Sequence, residues 1–250
     1  AAELRLRCEQ LRRWAGGPLL LCADVEEGVG QRFEGASWLV PPLALGRLHS
    51  RDRQEAARLA ERYGRCTGRQ ARLLGLNWVL GPVCDVNNNP ANPVINVRAW
   101  GEDPATAGAL ATAFLQGVQA EGVLSCAKHF PGHGFVRADS HTEIPVDRRS
   151  LKAILQDDAM PYAWLGGSVA SVMAISNWRC SPWLAAPAKA WRLFWSPANS
   201  MARSARSFTS RMCLACCNHA NGLNGMGWLR DCADKRTLSQ TVKLLKIFVF

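Results

Sequence analysis

Cys126-Ala-Lys-His-Phe-Pro-Gly-His-Gly-Phe-Val-Arg-Ala-Asp-Ser-His141 gathers a lysine, three histidines and an aspartate directly behind a short apolar run. The run Val123-Leu-Ser-Cys-Ala127 has the length of a buried strand, so Lys128 and His129 fall where that strand would end and Pro131-Gly132 would turn the chain. The polar groups are thereby delivered at a strand terminus. Gly132, Gly134 and Ala138 leave the following loop with little bulk, able to carry Asp139 and His141 toward the strand end or away from it. An aspartate that accepts from one imidazole nitrogen fixes the tautomer and raises the basicity of the ring, leaving the other nitrogen to exchange a proton near neutral pH. For either histidine taken alone, a solvated or turn-capping role is the bland alternative.

Working outward, the chain alternates strand and helix. Residues 3–14 place Leu4, Leu6, Leu11 and Trp14 among Arg and Glu as a helix, which Gly16-Gly17-Pro18 stops. Leu19-Leu-Leu-Cys-Ala23 is apolar throughout, as in a parallel strand covered on both faces, and Asp24 follows at its end. Helical spacing predicts a helix over 51–73 with Asp52 as N-cap, then a strand over Leu74–Leu80 leading to Asp85. Asn87–Pro93 is too polar and too Pro-broken for regular structure. Pro104 opens another helix that Gly122 ends, the strand before Lys128 follows, Asp147 or Ser150 caps a short helix, and Val169–Met173 reads as a fourth strand. The polar residues of interest fall just after strands, which is the pattern of a (β/α) barrel, although a doubly wound open sheet would look alike.

Composition bounds the rest. The 250 residues suit one large domain or two small ones. The opening residues are charged and amphipathic, and no apolar run approaches the roughly twenty residues of a membrane helix. A soluble cytoplasmic protein without a membrane partner is therefore expected. Cys8, Cys22, Cys66, Cys84 and Cys126 fall singly in apolar or helical patterns and read as reduced core residues. The net charge of +10 is uneven: residues 1–166 hold 19 Lys and Arg against 18 Asp and Glu, whereas 167–250 hold 11 against 2, and no glutamate follows Glu143.

Lys128-His-Phe-Pro-Gly-His-Gly134, with Asp139-Ser-His141 and Ile144-Pro145, resembles the signature of glycoside hydrolase family 3 in its β-N-acetylglucosaminidase branch. Ala23-Asp-Val-Glu-Glu-Gly28 with Gln31-Arg32, Gly81-Pro-Val-Cys-Asp-Val86 and Asn96-Val-Arg-Ala-Trp-Gly-Glu-Asp-Pro104 resemble further blocks in the family's order, so the likeness covers roughly residues 10 to 174. The resemblance implies an α/β fold of the (β/α)8 TIM-barrel type, and decides between barrel and open sheet. It also implies roles. Asp24, Arg32, Arg98, Lys128 and His129 would line a sugar subsite, in which a carboxylate and fixed cationic donors hold a fan of hydroxyls in one register. His141 would be the general acid/base, oriented by Asp139. The alternatives are an ion pair of Arg98 with Glu102 or Asp103, a helix or turn cap for Asp24, and a turn-pinning role for His133. Asp85 and Asn96 are left outside the site, since an aspartate after a strand often only holds loop backbone.

Retaining hydrolysis needs a nucleophilic carboxylate opposite the acid/base. The family supplies it from a block resembling Ser-Asp-Asp-x-x-Met on a later strand, which this chain lacks; Asp157-Asp158-Ala-Met160 imitates it but sits too close to His141, in a helix matching another segment. The nucleophile is thus unassigned. The likeness stops near Ile175, dividing the chain into a barrel portion over 1–174 and a basic tail over 175–250 rich in Trp, Cys, Arg and Ser. The tail reads first as a shifted reading frame that leaves the barrel incomplete, then as a basic nucleic-acid-binding segment, and last as a small metal site at Cys213, Cys216, Cys217 and His219. The expectation is a glycosidase of carbohydrate metabolism acting on β-linked N-acetylglucosamine or a related β-glucoside, impaired in this copy. A non-catalytic sugar-binding or interaction protein is the alternative. A carbohydrate is the expected partner, nucleic acid is not, and neither metal nor organic cofactor is implied.

Overall fold

The computed structural model describes residues 1–165, 168–174, 179–180 and 245–249. Helix α1 (Ala2–Ala15) leads into strand β1 (Leu19–Ala23), and α2 (Pro42–His49) and α3 (Arg53–Leu73) lead to β2 (Trp78–Val79). Helix α4 (Pro104–Ala120) precedes β3 (Leu124–Phe130); β4 (Val146–Asp147), α5 (Leu151–Gln156), α6 (Met160–Leu165), β5 (Ser171–Ala174), β6 (Arg179–Cys180) and β7 (Leu245–Val249) complete the order.

Local chemistry sets several of these bounds. The Asp52 side chain accepts from the Glu55 N–H and starts α3, a cap worth about 1 kcal/mol. Asp103 does the same for α4 ahead of Pro104, and Ser150 rather than Asp147 caps α5. β2 is shorter than its apolar run suggested. β3 is longer at its far end: it continues through Lys128 and His129 to Phe130 instead of stopping before them. Asp157 and Asp158 lie in the turn between α5 and α6, not within a helix.

The sheet runs β5-β3-β2-β1-β7. Strands β1, β2, β3 and β5 are parallel and follow one another in space in chain order, with Cys22 opposite Trp78, Trp78 opposite Leu124 and Cys126 opposite Ser171. A doubly wound sheet reverses its order at a switch point, and no reversal occurs among these four strands. The expectation was an incomplete (β/α)8 barrel, and the described residues close no ring. They make an open arc, and its β1 edge carries β7 antiparallel, from Leu19 opposite Val249 to Ala23 opposite Leu245. β7 is a strand in a segment where the sequence pattern suggested none. Apart from β6 and β7, the tail from 175 onward, with its tryptophans and the Cys213–His219 cluster, lies outside the described residues.

Side chains alternate across the pleat and so divide the sheet into two faces. Leu21, Ala23, Val79 and Ala127 join the large core beneath the helices, where Tyr63, Trp100 and Phe114 meet with ring centroids 5.3 to 6.0 Å apart. Cys22, Trp78, Leu80 and Cys126 form a separate cluster with Leu20 and Met173 on the other face. Helices α3 and α4 approach closely because Gly64 lies against the Phe114 carbonyl and Gly117 against the Glu61 carbonyl, leaving no room for a Cβ at either position.

Candidate active site

The chemistry collects at the carboxyl ends of the parallel strands. Lys128 lies two residues beyond Cys126 in β3 and therefore shares the face that the helices do not cover. Its side chain is 2% exposed, and Nζ lies 2.7 Å from Asp24 Oδ1 and 2.6 Å from Glu26 Oε1. Asp24 and Glu26 leave the end of β1 two residues apart, which turns both toward the lysine. Arg98 closes the cluster: Nε is 2.7 Å from Glu26 Oε2, a second guanidinium nitrogen is 2.9 Å from Oε1, and a third group donates to the Val94 carbonyl at 3.0 Å.

Charge balance explains how these groups stay ionised without solvent. Burial opposes the charge on Glu26, but hydrogen bonds from Arg98 and the adjacent Lys128 charge outweigh it and hold the carboxyl well below the usual carboxylate range. Burial likewise favours a neutral Lys128, yet the Glu26 and Asp24 carboxylates raise its pKa above the ordinary lysine value. Two anions and two cations compensate one another. Asp24, with 27% of its side chain exposed, presents this balanced cluster to solvent. Arg32 is exposed and donates from Nε to the Asp24 carbonyl at 3.1 Å, bracing the turn rather than the carboxylate.

His129 stands beside Lys128 and is oriented from behind by Asp85, whose Oδ2 lies 2.7 Å from Nδ1. Asp85 is fully buried; its Oδ1 also accepts the His133 N–H at 2.6 Å. Burial works against the Asp85 charge, but the nearby His129 and these hydrogen bonds keep its carboxyl below the ordinary range. An ionised Asp85 makes Nδ1 the donor, so His129 presents Nε2 away from it. Asp85 holds loop backbone, as supposed, and in addition fixes a site histidine. His133 is buried with both ring nitrogens lacking a hydrogen-bond partner among the described residues, and burial lowers its pKa.

Asp139 and His141 form the expected pair, with Oδ1 2.7 Å from Nδ1 and 2.9 Å from the His141 N–H. His141 is 80% exposed. Among the described residues no hydrogen bond or ion pair links this pair to the Asp24–Lys128 cluster. The structure thus brings together Asp24, Arg98 and Lys128, sets His129 next to them, touches them with Arg32 only through backbone, and leaves the dyad on its own loop.

Glu26 is a member sequence reasoning missed, and Asp85, which it left outside the site, holds His129. The signal for Glu26 was its place two residues after Asp24 in a quoted block. Arg98 forms an ion pair, but with Glu26; Glu102 pairs with Arg47 instead, and Asp103 caps α4. Among the described residues no group of three or more His, Cys, Asp or Glu is placed to hold a metal ion, and no helix is long and apolar enough to cross a membrane.

The parallel strands of this α/β sheet carry a compensated Asp-Glu-Lys-Arg cluster at their carboxyl ends, and the family comparison says where such a chain belongs. The description "Glycosyl hydrolase family 3 N terminal domain" matches residues 2–191, and the chain belongs to that family. It is similar to a β-hexosaminidase of Bordetella avium (strain 197N), at 41% identity over 170 residues, 67% of this chain and 48% of that protein. A β-hexosaminidase of Bordetella pertussis (strain Tohama I) is 46% identical over 154 residues, 61% of this chain and 44% of that protein. Among solved structures, native NagZ from Neisseria gonorrhoeae superposes with a TM-score of 0.64 at 30% identity, covering 69% of this chain and 51% of that one. The chain spans about half the length of the curated relatives it matches.

Proposed function

We propose that this chain carries the sugar-binding portion of a β-N-acetylglucosaminide hydrolase, holding the sugar ring at the carboxyl ends of β1 and β3. The observation that carries this reading is Lys128 bridging Asp24 and Glu26 at the strand ends. Asp24 and Nε2 of His129 accept from sugar hydroxyls, while Lys128 and Arg98 donate; the buried Glu26 keeps both cations charged and in place. NagZ of Neisseria gonorrhoeae has been solved in complex with N-trifluoroacetyl-D-glucosamine, at 31% identity to this chain, which supports an N-acetylated sugar here.

His141, oriented by Asp139, is the group that in a complete site would supply the proton to the leaving oxygen and then activate water. Hydrolysis with retention further requires a carboxylate nucleophile on the opposite sugar face. The carboxylates of Glu26 and Asp85 are bound to Arg98, Lys128 and His129, and the segment after 174 offers only Asp231 and Asp234. The chain therefore binds the sugar without completing turnover. Calorimetric titration of the full chain with N-acetylglucosamine and with glucose tests the subsite, and release of 4-nitrophenol from its β-N-acetylglucosaminide tests turnover. Preferential N-acetylglucosamine binding without release is expected. Absence of binding overturns the subsite, and release above background overturns the claim of incomplete turnover.

A further inference from the structure

The loop bearing Asp139 and His141 is rooted in a polar cluster that the sugar subsite does not use. Arg149 lies at its centre. Its guanidinium meets Asp147 at 3.1, 3.1 and 2.6 Å, Asp157 at 2.9 Å, and Asp158 through a further hydrogen bond. Asp147 and Asp158 are each 1% exposed. The Phe135 ring covers the guanidinium face, 3.6 Å from centroid to Cζ.

The loop after β2 holds the same stretch from the other side. Asn88 donates to Asp157 at 2.8 Å and to Asp158 at 3.4 Å, and Asn89 donates to the Phe135 carbonyl at 2.5 Å. Asn92 donates to the carbonyls of His133 and Val136 at 2.7 and 2.6 Å. Gly132 rests on the Asp158 side chain with no space for a Cβ. Residues 132–136 are thus gripped on two sides, three residues before Asp139. A planar guanidinium can bind a carboxylate through two nitrogens and stack on a ring at once; an ammonium cannot.

We infer that Arg149, acting with Asp158 and Phe135, is a positioning residue for the Asp139–His141 pair, fixing where the histidine loop departs so that His141 comes over a sugar held at Asp24 and Lys128. The inference rests on the acid/base reading of His141. It is tested on the full chain, as wild type, Arg149→Lys, Phe135→Leu and Asp158→Asn, by amide hydrogen exchange, N-acetylglucosamine titration and the His141 imidazole NMR signal.

In Arg149→Lys and Phe135→Leu, exchange across 132–142 should rise about tenfold while amides of Leu21, Val79 and Ala127 keep their protection. Sugar affinity should hold within about twofold, since the subsite is untouched. The shift of the His141 signal on sugar addition should be lost. Asp158→Asn, which still accepts from Arg149, should behave as wild type. An unchanged His141 response in Arg149→Lys overturns the inference, as does exchange rising equally in sheet and loop. Failure of the wild type to bind the sugar removes the proposed function instead, and the exchange pattern alone then reports on the loop anchor.

Discussion

Lys128 and Glu26 meet with 2.6 Å between Nζ and Oε1, at 2% and 5% side-chain exposure, although the strands that deliver them are about a hundred residues apart in sequence. Breaking such a pair by removing one partner leaves the other charge buried. Glu26→Gln should therefore cost on the order of 3–5 kcal/mol of stability in urea unfolding. Asp24→Asn, at the solvent edge of the same cluster, should cost only about 1 kcal/mol yet remove N-acetylglucosamine binding in calorimetry. Equal stability losses for the two variants would place Asp24 in the fold rather than in the subsite.

Asp85 offers a sharper test of how the site is oriented. Asp85→Asn removes the charge that makes Nδ1 of His129 the donor and weakens the bond from the His133 N–H. Sugar affinity should fall about tenfold and stability by about 1–3 kcal/mol. Nitrogen NMR of His129 should report the Nδ1–H tautomer in the wild type and its loss in the variant.

Two buried acids pull the pH dependence of stability in opposite directions. Glu26 is held below the ordinary carboxylate range, so its contribution is present above about pH 4 and is lost as pH falls toward its folded value. Asp158 is pushed up to about 7 by burial, against the pull of Arg149, with Asp157 and Asp85 adding to the rise. Its neutral form favours the fold, so that contribution is complete below about pH 4 and is lost as pH rises through about 7. Urea melts between pH 5 and 8 should show stability falling by up to about 1.4 kcal/mol per unit from this group, and Asp158→Asn should flatten that limb.

The close approach of α3 to α4 depends on Gly64 and Gly117. Gly64→Ala must push back the Phe114 carbonyl, which is backbone and cannot swing aside, so a loss of about 1–3 kcal/mol is expected in thermal unfolding. Ala60, one turn earlier and already accommodated, is the internal reference: Ala60→Gly should cost only about 1 kcal/mol, through helix propensity.

Much of this architecture is written in local pattern. The apolar run 19–23, the caps at Asp52 and Ser150 and the helix opened by Pro104 are set by nearest-neighbour chemistry: period, an oxygen facing an N–H, and a ring that tolerates the first turn. The Asp139–His141 pair was equally legible, since two residues of chain suffice to close it. The two-residue offset of Asp24 and Glu26 was visible as well, but nothing near them names the cation they face.

What the sequence by itself determined was therefore the family, the strand–helix alternation and which blocks hold polar residues at strand ends. Tertiary structure alone decided the pairings between blocks: Glu26 with both Lys128 and Arg98, Asp85 with His129, Arg149 with three aspartates and the Phe135 ring. It also placed an antiparallel β7 beside β1, in a segment where the sequence pattern suggested no strand. The physical reason is range. Caps and periodicities act within a turn or a strand, whereas a buried charge selects its partner from whatever the packed sheet brings within about 3 Å, across any length of chain.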